Sequence, residues 1–321
     1  MKYNTFLLEI LLILALLILI IMFYKSYFKK QIGHEGFQQQ EKFILKENGE
    51  TYDDFYGEVY DELMLPEQRV KYEMDTILKT IQPDIRNSCM LDIGSGTGVL
   101  VNYLKNEGYV AYGVDKSKAM VEISKERYPI DVKCANVEEA MAYDRSLFTH
   151  IFCMNFTIYE MENKLQLFKN CYYWLQHNSY LILHLAEKDN FNAIIPGGKP
   201  DVLDSIEQLG DKRVTTTIID FIDYTYKSEY VPCTNGNTNG NGNTNVNNRC
   251  NNSSQVLHKE TFTDKSTQNI RQNERVLNFD TYDDIVNMAI RSGFVAKGYF
   301  TMEKGPSRDI HQRIYIFERT L

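Results

Sequence analysis

The residues best suited to chemistry stand together in Met90-Leu91-Asp92-Ile93-Gly94-Ser95-Gly96-Thr97-Gly98. An apolar strand pattern runs there into a turn of three alternating glycines that opens a helix. Glycine lets the backbone approach a ligand closely and adopts turn conformations that a side chain forbids. Two nucleotide-type readings compete. A dinucleotide site requires G-x-G-x-x-G, with the last glycine for helix packing and a pyrophosphate at the helix N-terminus. Here the sixth place is Val99. The pattern is instead D-x-G-x-G-x-G, and an acid ahead of the first glycine repels a pyrophosphate but suits a ligand carrying an ammonium group. The next strand pattern ends in Gly113-Val114-Asp115, where a carboxylate can accept hydrogen bonds from both hydroxyls of a ribose.

The elements that must position these residues follow from apolar periodicity. We expect a strand at 89–93, a helix at 97–106, a strand at 109–114, a helix at 117–128 and a strand at 130–134. A strand at 148–154, a helix at 159–175 and a strand at 180–186 continue the series. Alternating strands and helices build a parallel sheet covered on both faces, with ligands bound beyond the carboxyl ends of its strands. Ahead of it, a helix over 52–64 places Tyr52, Tyr56 and Tyr60 on one face, and a helix over 67–81 ends before Pro83.

The stretches LDIGSGTG (91–98), GVDKSKAM (113–120), CANVEEA (134–140) and FTHIFCMNFTIYEM (148–161) give a likeness over residues 51–190. On them the chain resembles the class I S-adenosylmethionine-dependent methyltransferases, in their small-molecule branch. DIVNMAIRSGFVAKGYF (284–300) and RIYIFER (313–319) look like that family's last helix and its sixth and seventh strands. The resemblance implies an α/β, Rossmann-like, doubly wound seven-stranded sheet with the last strand antiparallel, and S-adenosylmethionine as cofactor. It implies that Gly94, Gly96 and Gly98 pass under the methionyl part, with Asp92 near its amino group and Asp115 on the ribose. Met120 would lie against the adenine, and Asn136 and Val137 occupy the place of the family's Asp-plus-apolar pair that reads the ring. Asn136 departs from that pattern, although an amide still offers an acceptor and donors. No metal is expected.

The methyl acceptor is less legible. Family members that methylate amides or ring amines carry N-P-P-[YF] after the fourth strand, whereas this chain has Met154-Asn155-Phe156-Thr157, which argues against those acceptors. Candidates near the open end of the sheet are Tyr56, Tyr60, Tyr159, His184 and Glu187, against the competing readings of a packed tyrosine stripe and a core histidine. About ninety residues separate the fifth strand from the last helix, more than a connection requires. We expect a β-rich lid over 195–280, with strand-like alternation at 214–231 and 256–263, and Lys259, Arg271 and Arg275 either binding an acidic acceptor or facing water. Residues 234–254 hold ten asparagines and read as a solvent loop at a hairpin tip.

Residues 5–24 form an apolar run in which only Glu9 is charged, long enough to span a bilayer. With the basic flank Lys25, Lys29 and Lys30 it reads as an uncleaved single-pass anchor over 1–30, and the positive-inside tendency puts the body, 51–321, in the cytoplasm. Residues 31–50 read as a tether. The partners expected are thus the membrane and a small-molecule or lipid-like acceptor. A net charge of −8 gives no sign of nucleic-acid binding. The six cysteines show no ligand spacing, so free thiols are expected rather than zinc or disulfides. A catalytically silent methyltransferase-fold module is the rival reading, and an NAD-dependent oxidoreductase is disfavoured by Asp92 and Val99.

Overall fold

The computed structural model describes residues 13–20, 41–139, 142–197, 213–233, 249–305 and 309–320. The chain divides into two compact units, 1–40 and 41–321. In the first, residues 13–20 are helical. Among the described residues no helix is long and apolar enough to cross a membrane. The rest of the apolar run, its basic flank and the tether as far as residue 40 lie outside the described residues.

In the second unit the chain forms β1 (Phe43–Glu47), α1 (Asp54–Met64), α2 (Pro66–Ile81), β2 (Cys89–Ile93), α3 (Val99–Asn106), β3 (Val110–Asp115), α4 (Lys118–Arg127) and β4 (Asp131–Cys134). There follow β5 (Phe148–Cys153), α5 (Lys164–Trp174), β6 (Leu175–Ala186), β7 (Thr216–Asp220), β8 (Tyr224–Pro232), β9 (Gln255–Asp264), β10 (Ile270–Asn278), α6 (Tyr282–Arg291), β11 (Phe294–Met302) and β12 (Asp309–Arg319). Seven strands make one sheet in the order β11-β12-β6-β5-β2-β3-β4. Its strands from β6 to β4 are parallel, and β12 runs antiparallel to both β6 and β11, as expected. The central strands are continuous apolar runs because both faces are covered: Leu91, Ile93, Ile151, Phe152, Leu181 and Leu183 are all buried. The helix expected over 159–175 starts only at Lys164, because the Asn163 side chain caps it by accepting from the Gln166 amide, and Thr157–Glu160 is a 3-10 turn.

The insertion is β-rich, as expected over 195–280, and its sheet holds two strands that the alternation did not announce, β10 and β1. β7, β8, β9 and β10 are antiparallel neighbours, and β1 adds to the free edge of β10 in parallel, from Phe43 opposite Ile270 to Glu47 opposite Glu274. The tether expected to run to residue 50 therefore ends earlier, with β1 and a 3-10 turn, Asn48–Thr51. A five-residue strand carries too short a pattern to be read alone, and here the edge of β10 supplies its hydrogen bonds. β10 escapes apolar periodicity for another reason: of the alternate residues it buries, Arg271, Asn273, Arg275 and Leu277, the first three are polar.

The expectation of free thiols fails at one pair. Cys233 and Cys250 are disulfide-bonded, with their Cα atoms 5.9 Å apart. Pro232 lies opposite Val256 at the mouth of the β8–β9 hairpin, and the Cys233 amide donates to the Gln255 carbonyl, which places the two cysteines across the tip. Cys89, Cys134, Cys153 and Cys171 are free. Residues 234–248 of the asparagine-rich stretch lie outside the described residues, but 249–254 do not form open loop. Gln255 Oε1 accepts from the Asn251 amide at 2.6 Å, and Arg249 is paired with Glu47 and Glu274.

Candidate functional site

At the carboxyl ends of β2 and β3 a cavity of about 790 Å³ opens, lined by Asp92, Gly94, Gly96, Asp115, Met120, Asn136 and Val137. The three glycines divide the work. All have positive φ, and a Cβ at Gly96 (φ +52°) would meet nothing within 4 Å, so the backbone there faces open space. A Cβ at Gly98 would come within 2.4 Å of Ile130 Cδ1. Gly98 does not line the cavity but lets α3 pack closely, a correction to its expected place under a ligand. Asp115 ties the turn together. Its Oδ2 accepts from the Gly96 amide at 2.9 Å and its Oδ1 from the Ser117 amide at 2.8 Å. Burial pushes its carboxyl up, opposed by the Ser117 and Gly96 amides. Asp92 is 4% exposed. Burial pushes its carboxyl well up, with Arg69 opposing and Asp115 and Glu73 adding. Asn136 spends its Oδ1 partly on the Glu138 amide at 3.1 Å.

Helix α1 closes over this cavity. Asp53 caps it by accepting from the Tyr56 amide, and Asp61 accepts from the Thr97 hydroxyl at 2.7 Å and pairs with Arg127. Ser117 Oγ donates to the Tyr52 carbonyl at 2.6 Å. The tyrosine face is real: ring centroids are 5.5 Å apart for Tyr52 and Tyr56, and 5.9 Å for Tyr56 and Tyr60. It is locked to the lid sheet by Arg275, whose Nη2 donates to Glu260 Oε2 at 2.8 Å and to the Tyr56 hydroxyl at 3.2 Å. Arg275 also donates to His258 Nδ1 at 2.9 Å. Arginine can only donate, so the proton of this imidazole sits on Nε2, which faces Ser228 Oγ at 3.0 Å. Arg275 is thus neither a free anion site nor a solvated charge, and Arg271, buried and paired with Asp53 at 2.9 Å, is the same.

A second cavity of about 130 Å³ lies beside the first, walled by Met64, Phe156, Phe191, Ile195 and Met302, with His184 and Gln312 as polar members. Tyr52, Tyr60, Arg69, Asn155, Glu160 and Arg275 line both cavities and form the partition between them. Asn155 donates through Nδ2 to the Tyr60 hydroxyl at 3.0 Å. Asn155 (φ +49°) and Phe156 (φ +66°) are consecutive left-handed residues. Asparagine tolerates this conformation, but for a bulky side chain it is strained, and strain of this kind gathers at functional sites.

The expected catalytic candidates separate. Tyr56 and Tyr60 reach the cavities as protonated phenols, because burial raises both hydroxyls. Tyr159 does not: it is fully buried, its hydroxyl donates to the Ala186 carbonyl at 3.0 Å and accepts from the Ala186 amide, and its ring stacks on Phe279. It bolts the core together. His184 lines the second cavity and is held neutral, burial and then Arg69 lowering it to about 3. Glu187 pairs with His311 at 2.9 Å. Among the described residues no group of three His, Cys, Asp or Glu could hold a metal ion.

Sequence reading missed Arg69 and Glu73 on α2. Glu73 falls three residues after Val70 and four before Ile77, on the apolar face, and that misplaced charge is the signal. It is 1% exposed, neither carboxylate oxygen has a hydrogen-bond partner among the described residues, and His184 Nδ1 lies 3.7 Å away. Burial raises its carboxyl from 4.5 to about 7, with Arg69 opposing. A folded-state value above the unfolded one contributes stability that is present below the unfolded value and lost as pH rises through the folded one. The shift corresponds to about 3 kcal/mol. Glu73→Gln is therefore expected to raise the melting temperature at pH 8 and much less at pH 4.5, read by thermal denaturation at both. Equal effects would show that this carboxyl is not held neutral.

Residues 91–183 match the family described as methyltransferase domain. An uncharacterized methyltransferase from Alkaliphilus oremlandii is 27% identical over 106 residues, covering 32% of this chain and 49% of that protein. The chain thus spans about half the length of this relative. Among solved structures, an S-adenosylmethionine-dependent methyltransferase from Clostridium acetobutylicum aligns with a TM-score of 0.57 at 12% identity, over 83% of this chain and 98% of that one. The CcbJ methyltransferase from Streptomyces caelestis gives 0.59 at 13%, over 84% and 98%. CalS10, an amino pentose methyltransferase from Micromonospora echinaspora with S-adenosylmethionine bound, gives 0.54 at 13%, over 83% and 96%. The fold of this chain is that of the S-adenosylmethionine-dependent methyltransferases.

Proposed function

We propose that this protein is an S-adenosylmethionine-dependent methyltransferase acting on a small molecule. The observation that carries the reading is the Asp115 carboxylate. It is held by the amides of Gly96 and Ser117 at the edge of a cavity that the open face of Gly96 makes accessible. The residues fit the cofactor. Asp115 offers its remaining lone pairs to the ribose hydroxyls and Asp92 faces the amino group. Gly96 gives the methionyl chain room, Gly94 lets the turn pass close to Thr157, and Met120, Asn136 and Val137 enclose the adenine. When bound, S-adenosylmethionine supplies an electrophilic methyl group on a positively charged sulfur. The protein's part is to align the acceptor and exclude water, which α1 and the lid sheet do by closing the two cavities.

The acceptor occupies the second, mostly apolar cavity, with its nucleophile at the Tyr60–Asn155 partition. The amino pentose acceptor named for CalS10 is the size of ligand this reading calls for, and a lipid-like acceptor is compatible with the apolar wall. Calorimetric titration with S-adenosylmethionine, S-adenosylhomocysteine and NAD tests it. The first two are expected to bind and NAD is not, while a protein binding none of them would be a silent module.

We place residues 5–24 in a membrane, with Lys25, Lys29 and Lys30 favouring a cytoplasmic body. The Cys233–Cys250 bond favours the opposite face, because disulfides persist in oxidising compartments. Protease added to intact vesicles is expected to spare the body, and digestion without detergent would put it outside.

A further inference from the structure

We propose that the Cys233–Cys250 bond is a redox latch on the cavity assigned to S-adenosylmethionine: while it is intact the lid tip forms part of the cavity wall, and its reduction frees the tip and weakens donor binding. The inference rests on the methyltransferase reading above. Besides the strand ends of the main sheet, this cavity is walled by the lid, through Arg249, Asn251 and Gln255 of the tip and Val276 and Asn278 of β10. Cys250 stands between Arg249 and Asn251. The covalent bond therefore ties this stretch of wall to Cys233, directly after β8.

The attachments of the tip differ along its length. From Asn251 onward it is held by hydrogen bonds. The Asn251 and Asn252 amides donate to Gln255 Oε1 at 2.6 and 3.3 Å, and the Ser254 carbonyl accepts from the Phe279 amide at 3.1 Å. Gln255 is itself fixed, its Nε2 donating to Asn278 Oδ1 at 2.8 Å and its carbonyl accepting from the Cys233 amide. Among the described residues, Arg249 and Cys250 are held by the disulfide and by the pairing of Arg249 with Glu47 and Glu274. The Arg249 side chain is 33% exposed, and ion pairs open to water contribute little. The bond is what keeps these two residues in the wall.

The bond is also within reach of a reductant. Cys233 is buried, but Cys250 is only partly so, and thiol–disulfide exchange needs access to one sulfur. A thiolate of an external dithiol attacks Cys250 Sγ, the Sγ–Sγ bond breaks, and Cys233 leaves and takes up a proton. The second thiol of the reductant then displaces Cys250 as a thiol. Two electrons and two protons pass to the protein, and the dithiol becomes a cyclic disulfide. Once freed, Arg249 and Cys250 must be ordered again each time the cavity closes on its ligand. Ordering the backbone of one residue costs about tenfold in a binding constant, so reduction is expected to weaken donor binding by about tenfold or more.

The test uses the full chain, with S-adenosylhomocysteine as the ligand and dithiothreitol as the reductant. Thiol titration in denaturant is expected to count four free cysteines before reduction and six after it. Calorimetry should then show about tenfold weaker binding to the reduced protein. Cys233→Ser combined with Cys250→Ser should bind like the reduced wild type and ignore the reductant, since the remaining four cysteines are already thiols. By linkage, saturating S-adenosylhomocysteine should make the bond harder to reduce by the same factor, a shift that a bond serving the fold alone would not show. Thermal denaturation checks that the reduced protein keeps one cooperative transition above the assay temperature. Six free thiols before reduction, equal or tighter binding after it, or a reduced protein that has lost its fold would each overturn the latch. An oxidised wild type that does not bind S-adenosylhomocysteine would overturn the methyltransferase reading, and this inference with it.

Discussion

Replacing Asp115 with alanine is expected to weaken S-adenosylhomocysteine binding about a hundredfold. In the proposed complex the carboxylate accepts from both ribose hydroxyls, and each charge-assisted hydrogen bond contributes about 1.5 kcal/mol or more, while about 1.4 kcal/mol is tenfold in affinity. The structure adds a second route to the same loss. The Gly96 and Ser117 amides both donate to this carboxylate, so its removal also releases the turn that must present backbone to the ligand. Gly96→Val tests the site from the other side, since a branched side chain at φ +52° is strained and fills the space the ligand needs. Both variants are expected to melt within a few degrees of the wild type, because neither position packs against the core. Calorimetry reads the affinity and thermal denaturation the fold. Two variants that bind as tightly as the wild type would leave the glycine turn with no role in ligand binding.

Much of this site was legible because the signals are local. Asp92, the glycines and Asp115 sit at consecutive strand ends, where a parallel sheet places its ligand, and the expected strands 89–93 and 109–114 formed within a residue of their expected ends. Tyr159 misled because its strand-end position was read without its partners, which are the Ala186 backbone and the Phe279 ring. The lid was recognised by its alternation, but two strands of its sheet were not. β10 buries arginine and asparagine on its inner face, so the rule that inward residues are apolar fails there. β1 exists only through its pairing with β10. The disulfide was within reach: a hairpin tip over 234–254 has Cys233 at its base and Cys250 on its returning limb, where the two strands converge. Arg69 and Glu73 show the complementary case. A charge on the apolar face of a helix breaks the local rule, and violations of this kind are expected at functional sites.

Arg275→Ala is expected to destabilise the protein by about 3 to 5 kcal/mol, the cost of leaving a buried charge without its partner. Glu260 is 1% exposed and depends on this arginine. Burial pushes its carboxyl up, and Arg275, His258 and the hydroxyls of Tyr226 and Tyr56 outweigh burial, so that it stays below the usual range. Without Arg275 the hydroxyls remain as donors at 2.7 and 2.8 Å, but the guanidinium charge that does most to offset the burial of Glu260 is gone. For a domain of this size the melting temperature should fall by roughly 10 °C. The effect should reach the site as well, since Arg275 joins the lid sheet to Tyr52 and Tyr56 and lines both cavities. Arg275→Met combined with Glu260→Gln removes both charges together, and replacing a buried pair by neutral groups costs far less than breaking it. The double variant is therefore expected to recover most of the lost stability. If it melts no higher than Arg275→Ala, the arginine acts through packing on the tyrosine rings, at 4.9 and 5.3 Å from their centroids, rather than through the charge of Glu260.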